Sequence, residues 1–96
     1  HLYISMAEKI GNEYSFEDIA KHNTQDDCWI YLKHGRKEVL AFVLDVSTYK
    51  EHPGGAHLFL ECAGGDATDL FNEAFHSNGA NAKMRTFIIG HVLKKQ

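Results

Sequence analysis

The chain has little of what would place it in several common classes. Proline occurs once, at Pro53, and no serine- and glycine-rich or low-complexity stretch interrupts the 96 residues, so neither linker nor repeat is expected. Two cysteines, Cys28 and Cys62, are too few for a disulfide framework, and neither C-x-x-C nor C-x-x-C-H is present. A reducing compartment is the simpler expectation. The longest apolar run, Val39 to Leu44, falls far short of the roughly 18 to 20 residues of a membrane helix. No basic segment followed by an apolar one opens the chain, and Met6 reads as the natural start, with His1 to Ser5 a foreign leader. Positive charge is also scarce. Ten Lys and Arg against thirteen Asp and Glu give a formal charge of -3, which excludes a general nucleic-acid binder, whose phosphate contacts need clustered cations.

What is present is ordinary for a folded domain: 44% hydrophobic and 24% charged residues, far from the composition of disordered chains. A domain of this size buries about 60 to 70% of its unfolded surface, enough for one modest core. The chain reads as a tail over 1–11, one domain over 12–93 and a short tail over 94–96.

Ser15 followed three residues later by Asp18 predicts a capped helix running to about His22. Cys28 to Lys33 alternates β-formers with polar residues, His34-Gly35 punctuates, and Glu38 to Val46 is a second β-rich run, which together predict a hairpin. Leu58 to Ala63 reads as a short helix stopped by Gly64-Gly65. Ala67, Leu70, Phe71, Ala74 and Phe75 then recur as one apolar helical stripe, with Asp66 as its cap and Asp66, Asp69 and Glu73 on a solvated face. Another short helix is expected over Ala80 to Arg85, and a final strand over Thr86 to Ile89 closed by Gly90. Strands and helices lack βαβ spacing, so the fold class is α+β, with the helices of 52–85 on one side of a small mixed sheet.

Seven histidines invite a functional reading. His22, His34 and His91 fall at element ends and read as surface residues. His52 differs, because Pro53 holds it extended and Gly54-Gly55 allow a sharp reversal into the next helix. His76 follows the striped helix and precedes the turn-prone Ser77-Asn78-Gly79, so two histidines can face each other across a crevice. Between them lie Leu58, Phe59, Leu70, Phe71 and Phe75, more large apolar groups than two short helices need. A flat apolar ligand would explain the surplus, and plain core packing would also account for it. Zinc could in principle take His52, His57, Cys62 and His76, but there is no H-E-x-x-H and no cysteine pair at ligand spacing. Hydrolysis lacks a G-x-S-x-G elbow, and Cys62 sits in an apolar segment where a thiol is inert.

The sequence His52-Pro53-Gly54-Gly55, then Ala63-Gly64-Gly65-Asp66-Ala67-Thr68, Phe75-His76-Ser77 and Thr86-Phe87-Ile88-Ile89-Gly90 resembles the cytochrome b5 haem-binding domain, in order and at that family's spacing. Tyr14 to Ile19, His22-Asn23 and Asp27-Cys28-Trp29 resemble its first helix and strand, and the likeness covers roughly residues 12 to 93. The resemblance implies a cytochrome b5-like crevice, formed by short helices on one side of the sheet, that holds a non-covalent haem b (iron protoporphyrin IX). It further implies iron ligation by His52 and His76, a haem face lined by Leu58 and Phe71, a propionate bonded to Ser77, and Tyr49 approximating the family's rear-wall aromatic. Two axial imidazoles leave no open site, so the implied activity is electron transfer rather than catalysis. An NAD(P)H-dependent flavin reductase would be the donor, and an oxygenase, desaturase or other haem protein the acceptor. The implied location is cytoplasmic, or the cytosolic face of the endoplasmic reticulum if a C-terminal anchor once followed. A haem- or sterol-binding regulator on the same fold, and a haem domain excised from a larger fusion oxidoreductase, are the alternatives.

Charge placement agrees with a docking edge. Between Glu51 and Ala82 there are five acids and no Lys or Arg, whereas the rest of the chain carries all ten bases. Glu61, Asp66, Asp69 and Glu73 are the expected docking acids for a basic partner. The hairpin is longer than the family's, with extra residues around Lys33 to Phe42, and one residue fewer separates Asp45 from His52. Ala56 and His57 replace acids found in many members, and His57 is expected to be an exposed bystander.

Overall fold

The computed structural model describes residues 12–33, 39–49, 59–74 and 78–94, with backbone only at 74 and 78–81. Helix α1 spans Phe16–Ala20 and opens on a reciprocal cap. The Ser15 hydroxyl accepts from the Asp18 N–H at 3.0 Å while the Asp18 carboxylate accepts from the Ser15 N–H at 2.9 Å, so two otherwise orphaned donors are satisfied. The helix ends two residues before the expected His22. That residue is drawn away: its carbonyl accepts from Trp29 N–H at 2.9 Å, its ring stacks on Trp29 at 3.7 Å, and its Nδ1 meets Asp27 at 2.7 Å.

Strands β1 (Trp29–Lys33), β2 (Val39–Asp45) and β3 (Ile88–Leu93) form an antiparallel sheet in that order. The β1–β2 register runs from Trp29 opposite Asp45 to Lys33 opposite Ala41, confirming the hairpin pairing, whose connecting residues 34–38 lie outside the described residues. Among the described residues, parallel pairing is confined to isolated bridges, Tyr31 with Asp66 beyond β1 and Glu13 with His91 beyond β3. Helices α2 (Thr68–Ala74) and α3 (Asn78–Arg85) complete the α+β fold. Among the described residues no helix is long and apolar enough to cross a membrane.

Alternation along the strands gives the sheet two dry faces. Ile30, Leu44 and Cys28 join Val46, Tyr49, Phe59, Ala67 and Met84 in one cluster, while Ala41, Val43 and Val92 pack with Ile19 of α1 on the other face. The described helical segments after residue 58 cover the first face, as expected of the helices of 52–85, while α1 backs the second. Met84 anchors α3, being 1% exposed beside exposed Lys83 and Arg85.

Two glycines have positional reasons. Gly64 adopts φ +76°, a left-handed conformation that glycine takes without a Cβ penalty, and it follows the helical segment that includes Phe59 and Leu60, as the sequence implied. Gly90 does not close the last strand. It sits inside β3, where a Cβ would lie 2.5 Å from the Asn12 carbonyl oxygen and 2.6 Å from the Tyr14 ring. A glycine in a strand can mark the close approach of another backbone, and here the segment 12–14 presses against it. His91 also departs from its expected surface position. It is 5% exposed, lies opposite Phe42, and its buried Nδ1 has no hydrogen-bond partner among the described residues.

Candidate functional site

The first face of the sheet is where the sequence-predicted residues meet, as far as they are described. Tyr49, just past β2, is 7% exposed and sets its ring edge-on to Phe59 at 5.3 Å and to Phe87 at 5.8 Å. The Tyr49 N–H donates to Val46 carbonyl at 3.0 Å, a tight turn that carries the chain off the strand and back over the face. Phe71 is half-buried against the same cluster, positioned by the Phe71 N–H to Ala67 carbonyl bond at 2.8 Å in the first turn of α2. His52, His57, Leu58, Phe75, His76 and Ser77 lie outside the described residues.

Sequence reading missed part of the wall. Leu32, Phe42, Phe87 and Ile88 are partly buried against this cluster, alongside Leu70 and Phe71. The signal was present: Leu32 shares the parity of Ile30 in β1, and Phe42 that of Leu44 in β2, so each points to the same face as its buried neighbour. The result is a dry floor of fully buried groups bordered by large apolar side chains that the described residues leave partly uncovered. Such an apolar border is how sites for apolar ligands are lined.

The position of α2 comes from its approach. The Gly64 N–H donates to Trp29 carbonyl at 2.6 Å, the Gly65 carbonyl accepts from Tyr31 N–H at 3.0 Å, and the Ala67 N–H donates to Tyr31 carbonyl at 2.9 Å. Residues 64–67 thus run along the outer edge of β1 before α2 begins. Asp66 stands one residue before the cap position and still satisfies the helix, accepting from the Thr68 N–H at 2.9 Å and from its hydroxyl. The Thr68 hydroxyl oxygen in turn accepts from the Lys33 N–H at 2.9 Å.

Glu61, Asp66, Asp69 and Glu73 are all exposed, as expected. The charge map still differs from its linear reading. Lys33 comes from β1 to place its ammonium 3.3 Å from Asp66, a cross-strand neighbour that no run of sequence reveals, so Asp66 is partly neutralised. Burial works against the Asp66 carboxylate, but the bonds from Thr68 and the Lys33 ammonium outweigh it and hold the group below the usual carboxylate range.

Over residues 15–93 the sequence matches the cytochrome b5-like heme/steroid binding domain. It is similar to cytochrome b5 of Gallus gallus, 39% identical over 82 residues, covering 85% of this chain and 55% of that protein. It is 43% identical over 82 residues to the NADH nitrate reductase of Volvox carteri, covering 84% of this chain and 9% of that enzyme. Among solved structures it is similar to cytochrome b558 of Ectothiorhodospira vacuolata, described as a prokaryotic homologue of cytochrome b5. There the TM-score is 0.67 and the identity 28%, with 84% of this chain and 98% of that chain covered. The chain spans only 55% and 60% of the length of the Gallus gallus and Sus scrofa cytochromes b5.

Proposed function

Because the chain belongs to the cytochrome b5-like heme/steroid binding family, we propose that it is a haem-bearing electron carrier and not itself an enzyme. The observation that carries this reading is the apolar border on the first face of the sheet, where Phe71 and Leu70 of α2 stand with Leu32, Phe42 and Phe87 over a dry floor. That border fits a flat macrocycle, whose faces need apolar contact. When bound, a b-type haem supplies one-electron chemistry between ferric and ferrous iron.

The chain's own residues then have distinct roles. His52 and His76 would hold the iron, an assignment that rests on their motifs in the sequence. Phe71 and Leu58 exclude water from the haem faces, Tyr49 closes the rear wall and Ser77 holds a propionate near the surface. Held by both His52 and His76, the iron would have no open position for oxygen or substrate, and the haem would supply electron transfer without chemistry on a ligand. The NAD(P)H-dependent flavin reductase as donor, and the oxygenase, desaturase or other haem protein as acceptor, meet the acidic edge of Glu61, Asp69 and Glu73. Asp66 contributes less there because Lys33 screens it. The match to 9% of a nitrate reductase favours a second reading, the same carrier role as one domain of a larger oxidoreductase. The paired histidines argue against a sterol-binding regulator. The working location is the cytoplasm or the cytosolic face of the endoplasmic reticulum.

The visible spectrum of the purified protein tests the reading, recorded oxidised, reduced with dithionite, and reduced under carbon monoxide. Sharp low-spin bands that ignore carbon monoxide are expected, with His52→Ala or His76→Ala losing both haem and bands and His57→Ala retaining them. A carbon monoxide shift in the unmodified protein would overturn the two-histidine assignment, and a colourless protein that takes up no added haem would overturn the function.

A further inference from the structure

Two thiols sit together outside the proposed haem chemistry. Cys28 is buried in the first cluster, and Cys62 is half-buried against that same cluster. The backbone ladder explains why. Tyr31 pairs in parallel with Asp66, and the Gly64 N–H reaches the Trp29 carbonyl at 2.6 Å. Cys28 directly precedes Trp29, and Cys62 lies two residues before Gly64 in the turn closed by the Gly65 N–H to Cys62 carbonyl bond at 2.8 Å, so this contact brings the two cysteines into one neighbourhood, and both join one cluster. The two positions are 34 residues apart in sequence, yet both meet the same apolar cluster beside the start of β1.

We infer that Cys28 and Cys62 form a redox-sensitive dithiol that closes into an intramolecular disulfide when a low-molecular-weight disulfide is available. The inference is independent of haem binding. The two partners are unequally held. Cys28 is fixed, its N–H donating to the Ser47 hydroxyl at 2.9 Å and its carbonyl accepting from Val46 N–H at 2.9 Å. Cys62 lies in the turn before Gly64, and its thiol makes only a weak bond to Phe59 carbonyl at 3.5 Å, so it is the side that adjusts.

Reactivity divides the same way. Burial first, and then the neighbouring Cys62, push the Cys28 thiol up to about 11, while burial also raises Cys62. The half-buried Cys62 is therefore the entry point. Its thiolate attacks the external disulfide, forming a mixed disulfide and releasing one small thiolate. The Cys28 thiolate then attacks the Cys62 sulfur, forming the protein disulfide and releasing the second small thiolate. Two protein thiols lose two electrons and two protons, and one external disulfide becomes two thiols. Because both protein thiols resist ionisation, closure accelerates as pH rises.

The haem-loaded chain, incubated with oxidised glutathione at pH 7 and pH 9 and quenched with acid, gives the test. Intact mass should fall by two hydrogens, faster at pH 9, both thiols should disappear from a thiol titration, and the chain should stay monomeric on a non-reducing gel. A non-reduced tryptic map should join the peptide of residues 22–33 to that of residues 51–83, a link that reduction breaks. Cys28→Ser should stop at the glutathionyl adduct on Cys62. A stable glutathionyl adduct on the unmodified chain, cross-linked dimers, or two thiols still titratable after denaturation would each overturn the inference. The map on the unmodified chain decides the matter even if a variant fails to fold.

Discussion

Replacing Gly90 with alanine should cost this domain a large part of its stability, even though the change adds one methyl group. The added Cβ would stand 2.5 Å from the Asn12 carbonyl oxygen and 2.6 Å from a Tyr14 ring carbon, far inside ordinary contact. One of those atoms is backbone and the other belongs to a ring held edge-on to Trp29 at 4.9 Å, so neither can swing aside freely. Relief means lifting the segment 12–14 from β3. That movement strains or breaks Tyr14 N–H to His91 carbonyl at 2.9 Å, His91 N–H to Asn12 carbonyl at 2.9 Å, and Asn12 Nδ2 to Ile89 carbonyl at 3.0 Å. At about 1 kcal/mol net for each of the three hydrogen bonds and about 0.5 to 1.5 kcal/mol for the ring pair, the loss reaches roughly 3.5 to 4.5 kcal/mol. Reduced freedom of the unfolded chain offsets about 0.4 to 1 kcal/mol, leaving roughly 2.5 to 4 kcal/mol. For a domain of this size that lowers Tm by about 10 to 30 °C.

Urea and thermal denaturation of the haem-free protein, followed by far-ultraviolet circular dichroism, measure this change. Gly65→Ala is the matched control, because a Cβ there would meet only Cys62 carbonyl oxygen at 3.5 Å, an ordinary contact. It should shift stability by no more than about 0.5 kcal/mol. Equal effects from Gly90→Ala and Gly65→Ala would refute the close-approach argument.

Other outcomes follow from the same geometry. Ser15→Ala removes the hydroxyl that caps α1 and should lower stability by about 1 kcal/mol in urea, with the fold retained. Asp66→Asn should flatten the acid limb of a stability–pH curve: the carboxyl is held below its ordinary 3.8, so its stabilisation is present above that value and lost as pH falls through the lowered one. An unchanged acid limb would count against the Thr68 and Lys33 contacts. Phe71→Ala should speed haem transfer to an acceptor such as apomyoglobin roughly tenfold or more, the equivalent of about 1.4 kcal/mol or more of lost apolar contact. Electron transfer to a basic partner should slow as ionic strength rises, and Asp69→Lys with Glu73→Lys should remove most of that dependence; a flat salt profile in the unmodified protein would dismiss steering by this edge.

Much of the fold was legible wherever the signal is local. Ser15 with Asp18 announced α1, the alternation on either side of residues 34–38 announced the hairpin, Gly64 announced a helical stop, and the stripe through Ala67, Leu70 and Phe71 announced α2. What escaped depends on contacts between distant residues. Gly90 reads locally as punctuation, because nothing near it in sequence shows that Asn12 and Tyr14 will press on its α-carbon. His91 reads as a surface residue for the same reason, since the strand continues past Gly90 and carries the imidazole inside. Lys33 looked remote from the acidic segment until the ladder along β1 set it beside Asp66. Of the residues the motifs single out, Phe71 and Tyr49 lie with the first-face cluster, and Leu32 and Phe42 join it through a register that no local pattern reveals.

The bridge between Glu13 and His91 has a consequence for how the domain travels through evolution. It lays the incoming strand of chain at Asn12 against the outgoing one at β3, while the Asp66 bridge covers the other margin of the sheet. Entry and exit are thereby neighbours, and a unit with adjacent ends can be spliced into a longer polypeptide without forcing the host's flanking segments apart. With both margins already engaged by the domain's own backbone, less of the sheet is left to recruit strands from whatever is fused beside it.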